Sequence, residues 1–190
     1  MRILISFFVA MLFSISISAE PMLDFETSYD GSSVEATDIS GWYYGNLELK
    51  LSESLKNNSF SLAAGESKTF DFFDVYLPSG FGKATVNATL DFLAPVGGSG
   101  SGEGSGWWLA SGFFSASAGE LKWSSQPGLI ELGDGSSFYM SFADILGLQT
   151  GLEYTVEATI TAKYIANVPE PGTLALLGMS LLGFSLRRQK

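Results

Sequence analysis

Chemistry in this chain has few residue types to work with. Its 190 residues include no cysteine and no histidine. That excludes a thiolate nucleophile, Ser-His-Asp and Cys-His relays, His- or Cys-ligated zinc and imidazole acid–base catalysis. Carboxylates, tyrosine, serine and lysine remain. Two carboxyl groups roughly 5–9.5 Å apart suffice for glycoside hydrolysis. The acids worth naming are Asp71 and Asp74, which flank an aromatic pair in FDFFD, and Asp91 in LDFLAP. Each equally fits the polar face of a strand. With nineteen acids between residues 20 and 169, no spacing stands out, and no catalytic residue is assigned. Hard oxygen ligands would suit calcium, but Asp30-Gly31 and Asp134-Gly135 lack the spaced acidic ladder of a calcium loop. Both fit hairpin turns, where Asp-Gly supplies positive φ. No metal and no cofactor are expected.

The aromatic residues offer a second kind of chemistry. Trp107 and Trp108 are adjacent, and neighbours on a strand point to opposite faces. One is expected in the core and the other at solvent or over a groove. Trp42-Tyr43-Tyr44 poses the same question. Exposed rings are platforms for the C–H faces of sugars, so Trp42, Trp107 and Trp108 are the candidate glycan-stacking residues. The competing reading is that these rings are packed, or simply lie on the surface.

Strands must position these side chains. In LEYTVEATITAKY, Tyr154, Val156, Ala158, Ile160, Ala162 and Tyr164 fall on one face, with Thr, Glu and Lys on the other. Such period-two alternation predicts a half-buried antiparallel strand. KATVNATLDF repeats it through Ala84, Val86, Ala88, Leu90 and Phe92. Further strands are expected at 22–26, 42–52, 68–77, 106–115, 120–124 and 138–142, with turns at Asp30-Gly31, Pro78-Ser79-Gly80 and Asp134-Gly135. Residues 142–148 hint at a short helical turn. GGSGSGEGSG (97–106) is not followed by the Gly-Lys-Ser/Thr of a phosphate loop. It reads as a flexible loop between the strands of Phe92 and Trp107. The fold class expected for residues 20–166 is all-β, an antiparallel β-sandwich or jelly roll, with an open barrel as the alternative.

The ends of the chain say where this domain goes. Residues 1–19 read as a signal peptide: Arg2 is followed by an apolar stretch from Ile3 to Phe13 broken only by Ser6, then by Ser16, Ser18 and Ala19. Cleavage is expected after Ala19, or after Ser18. Signal peptidase and a Sec-type export machinery are thus expected partners. Between residues 20 and 169 there are six lysines against nineteen acids, a net charge of −13. With no basic run or patch, nucleic acid is not an expected partner.

Residues 172–186 form fifteen uncharged positions ahead of Arg187, Arg188 and Lys190. As a helix they would span ~22 Å, short of the ~30 Å hydrocarbon core of a bilayer. The basic residues can snorkel and belong on the cytoplasmic side. Pro169 and Pro171 hold the preceding motif extended, open to a protease.

Three parts occur here in order: Val168-Pro169-Glu170-Pro171, the apolar run containing LALLG at 174–178, and the Arg187-Arg188 end. In this, segment 167–190 resembles the PEP-CTERM sorting signal of Gram-negative bacteria that make exopolysaccharide. The resemblance implies processing by an exosortase, a multi-pass membrane cysteine transpeptidase, and delivery to the outer envelope, cell surface or extracellular matrix. The tail closes with Gln189-Lys190 rather than an all-arginine cluster. A lasting C-terminal transmembrane anchor remains the alternative to a temporary stop in the inner membrane. The expectation is a non-catalytic surface or matrix protein associated with exopolysaccharide. A glycan-active enzyme using two carboxylates, or a lectin-like binding module, are the alternatives.

Overall fold

Alternation along the strands sets the architecture. Val156, Ala158, Ile160 and Ala162 are buried, as are Ala84, Val86, Ala88, Leu90 and Phe92. The two runs belong to facing sheets, so their apolar faces meet in one core. The computed structural model describes residues 20–110 and 117–166. The expected signal segment 1–19, the end of the strand expected at 106–115 and the sorting segment 167–190 lie outside the described residues. Among the described residues no helix is long and apolar enough to cross a membrane.

The described strands are β1 (Met22–Tyr44), β2 (Glu48–Leu51), β3 (Ser59–Ala63), β4 (Ser67–Tyr76), β5 (Ser79–Ala94), β6 (Ser99–Ala110), β7 (Ser117–Ser125), β8 (Gly128–Glu131), β9 (Ser137–Phe142), β10 (Ile145–Leu146) and β11 (Glu153–Tyr164). They form a six-stranded sheet in the order β10-β7-β6-β5-β1-β3 and a five-stranded sheet in the order β2-β4-β11-β9-β8. Pairing is antiparallel throughout. This is the expected sandwich. Phenylalanines fill much of the core: Phe25 meets Phe138 edge-on at 5.2 Å, and Phe72 meets Phe142 at 4.9 Å. The edge strands β3, β10, β2 and β8 are only five, two, four and four residues long, which limits edge-to-edge association.

Several expectations change. The Gly/Ser stretch is no flexible loop: residues 99–106 are the first part of β6, paired from Ser99↔Asp91 to Gly106↔Ala84. Gly100, Gly102 and Gly104 are buried and alternate with exposed Ser99, Ser101, Glu103 and Ser105. The glycines are the core-facing residues. A Cβ would approach Met140 Sδ to 2.8 Å at Gly100 and the Phe142 ring to 3.0 Å at Gly102.

Strands expected separately at 22–26 and 42–52 also change. Residues 22–44 are one strand, β1, and β2 follows after a turn. Asp30-Gly31 sits in a bulge where the register jumps from Ser28↔Asp91 to Ser33↔Thr89. The extra residues are closed locally by Gly31 N–H on Ser28 Oγ (3.0 Å) and by Ser32 Oγ–H on the Ser28 carbonyl (2.6 Å). Asp134-Gly135 does turn the chain, between β8 and β9.

No helical turn forms at 142–148. Phe142 ends β9, Ile145–Leu146 is the edge strand β10, and Leu148 is buried with its N–H on the Gly119 carbonyl at 2.9 Å. A 3₁₀ turn lies instead at Glu53–Asn57, capped by Ser52. Tyr164 is exposed because a register shift follows Ala162, and Ile165 turns inward.

Both ends of the body lie at one pole. There Met22 pairs with Ala63, and Gly65 N–H donates to the Ala162 carbonyl. The last described residue, Ala166, donates its N–H to Ser136 Oγ at 3.0 Å, and that hydroxyl donates to Asp134 Oδ2 at 3.1 Å. Tyr44, Ser79, Tyr76 and Glu153 mark the opposite pole. The twelve residues of β11 separate the poles by about 37 Å at ~3.4 Å per residue.

Candidate functional site

Strand parity places the tryptophans. In β6 the glycines at 100, 102 and 104 face the core, so Trp108 does too, and Trp107 faces out. Trp108 is 2% exposed and Trp107 43%. The Trp108 ring lies over Gly82, its partner on β5, where a Cβ would come within 2.3 Å of it. Of the three candidate glycan-stacking residues Trp108 is thus the buried one, its ring packed over Gly82.

Trp42 and Trp107 come together on the outer face of the six-stranded sheet, near the pole opposite the chain ends. Register builds the site row by row. Ser40 on β1 pairs with Lys83 on β5, Lys83 with Trp107 on β6, and Trp107 with Glu120 on β7. One step along, Trp42 pairs with Phe81. Trp42 is 66% exposed and Phe81 48%, so three rings share this face. Directly opposite and diagonal pairs across a sheet are about 5 and 7–8 Å apart. An open hollow of about 460 Å³ lies here, lined by Ser40, Gly41, Phe81, Gly82, Lys83, Trp107 and Trp108. Every one of those residues belongs to β1, β5 or β6.

The rim carries both signs of charge. Lys122 Nζ lies 2.7 Å from Glu120 Oε2. Hydrogen bonding from Lys122 first, and from the Trp107 side chain second, holds the Glu120 carboxyl below its ordinary range. The Trp107 side chain thus has the Glu120 carboxylate as a polar neighbour while its ring stays exposed. Farther along the same face a polar hollow of about 220 Å³ is lined by Asn87, Thr89, Ser101, Glu103 and Ser125 among others. Thr89 and Ser101 hydroxyls are 2.8 Å apart.

Of the carboxylates named from sequence, Asp91 lies in a different sheet from the other two. Asp71 and Asp74 lie on β4 in the five-stranded sheet, where Asp74 Oδ1 accepts from Thr155 Oγ1 at 2.7 Å. Asp91 lies on β5 in the other sheet, beside the β1 bulge at Gly31. Among the described residues no three acidic side chains gather as a metal site would need. Sequence reasoning missed Phe81 and Lys83. The available signal was the parity of the β5 alternation continued two residues upstream from Lys83, as far as the Ser79-Gly80 turn cue.

The sorting residues Val168, Pro169, Glu170, Pro171, Arg187, Arg188 and Lys190 fall outside the described residues. What the fold defines is a β-sandwich whose last strand leads directly into that segment. Residues 167–189 match the family model of the PEP-CTERM protein-sorting motif. The chain carries that motif, which marks an exported, membrane-anchored precursor processed by an exosortase. No curated protein and no solved structure matches the chain.

Proposed function

We propose that the body is a non-catalytic component of the outer envelope or extracellular matrix, released by an exosortase and associated with exopolysaccharide. Export begins with the 1–19 signal peptide, the Sec-type machinery and signal peptidase. The 172–186 segment holds the precursor in the inner membrane until cleavage near Val168-Pro169-Glu170-Pro171. The observation that carries this reading is the sorting motif placed immediately after a folded domain. Ala166 is tied down by Ser136, so the folded domain is held in place up to the residue before the matched segment.

The test is the mass of the C-terminal peptide of protein recovered from the producing cell's envelope and medium. Loss of the residues beyond the Pro-Glu-Pro site is expected, and any excess mass identifies what the new terminus is joined to. An intact Lys190 found only in the inner membrane would overturn the matrix reading. Association is tested separately, by retention of the protein on the producer's own polymer.

A further inference from the structure

The outer face of the six-stranded sheet has the makings of a track rather than a point. At one end stand Trp42, Phe81 and Trp107, well exposed and contributed by three adjacent strands. From there the outward residues of β5 and β6 pass through Lys83, Thr85 and Ser105 to Asn87, Glu103, Thr89 and Ser101. From Phe81 to Thr89 the face runs about 27 Å at ~3.4 Å per residue. Its two hollows are shallow and open, lined first by rings and then by hydroxyl, amide and carboxylate groups. Apolar surface with a few convergent polar groups is the usual composition of a ligand site.

Charge selects the occupant. The body carries −13 between residues 20 and 169, which repels uronate polymers and anionic lipid surfaces alike. The platform also lies at the pole opposite Ala166, the last described residue. Around Trp107 the charges are mixed: Lys83 on one side, the Glu120–Lys122 pair on the other. Together with Ser40 they present donors and acceptors side by side, which suits hydroxyl groups that both donate and accept. Ring faces carry negative quadrupole charge and attract the polarised C–H groups of a pyranose.

We infer that this face binds a neutral polysaccharide chain, with Trp42, Phe81 and Trp107 as the stacking platform and the β5–β6 hydroxyl and amide row as its continuation. The inference rests on the exopolysaccharide reading and deepens it by naming the site and the class of polymer.

The test is electrophoresis of the full chain in mild detergent through gels holding hydroxyethylcellulose, glucomannan, polygalacturonate or the producer's own polymer. Retardation by a neutral gel and none by polygalacturonate is expected. Trp42→Ala and Trp107→Ala should each weaken retardation about tenfold, about 1.4 kcal/mol, with Trp42→Phe restoring most of it. Thermal unfolding of each variant separates loss of the ring from loss of the fold. Retention on the producer's polymer that survives the double substitution overturns the site and leaves the association standing. Retention by no gel overturns both. Preference for polygalacturonate overturns the neutral assignment. Ring removal that shifts sedimentation from dimer to monomer, with retardation unchanged, makes the face an interface between copies and overturns the inference.

Discussion

The two adjacent tryptophans divide the labour of the molecule between them. Trp108 sits against Gly82 inside the sandwich, and Trp107 stands outside on the same two strands. Removing a buried ring leaves a cavity that its surroundings only partly refill. Trp108→Ala is therefore expected to cost about 3–5 kcal/mol in denaturant unfolding, far more than any substitution on the outer face. Trp107 should instead report on its neighbour Glu120. Lys122, and then the Trp107 side chain, favour the ionised carboxylate and depress its pKa. A depressed acid contributes its interaction above its unfolded pKa and loses it as pH falls through the folded one. The part of the indole emission change that comes from Trp107 should be displaced to the acid side of the ordinary carboxylate pKa. Glu120→Gln should remove that part, and a difference between the two proteins centred at or above the ordinary carboxylate pKa would refute the linkage.

At the scale of elements, β6 makes the sharpest forecast. If residues 99–106 were a linker, Gly102→Ala and Ser101→Ala would be equally harmless. In the sandwich a Cβ on Gly102 would meet the Ser125 carbonyl at 2.9 Å and the Phe142 ring at 3.0 Å, while Ser101 faces solvent. Gly102→Ala should destabilise by about 1–3 kcal/mol as an overpacked core does. Ser101→Ala should stay within about 0.5 kcal/mol, both read by thermal or urea unfolding. This strand also marks where the sequence ceased to be legible. Alternation announces β5 and β11 because Val, Ile, Leu, Phe and Ala occupy their inward positions. In β6 the inward positions are glycines, whose alternation carries no hydrophobic signal and imitates a linker. Similarly, Asp30-Gly31 has the chemistry of a turn, and only the Ser28 and Ser32 hydrogen bonds fold it into a bulge within β1. The candidate site was half legible. Parity separates Trp107 from Trp108, but no local pattern says that β1 and β6 both flank β5. That order brings Trp42 and Trp107 to one face and puts Phe81 between them.

For the whole molecule, connectivity decides how load is carried. β11 leads into the sorting segment and is the central strand of its sheet, hydrogen-bonded to β4 along one side and β9 along the other. Tension drawn through Ala166 acts along β11, whereas antiparallel ladder bonds lie across the strand direction. The bonds are thus loaded in shear and must yield together, where an edge strand would peel away one bond at a time. With polymer held at the opposite pole, the body would work as a strut, passing force from one sheet to the other through its phenylalanine core. Pulling on the released protein between the C-terminus and position 42 should give a single high-force rupture. Thr159→Pro, which removes a ladder donor from β11, should lower that force. A succession of small steps would show that the body yields by unzipping and bears no sustained load.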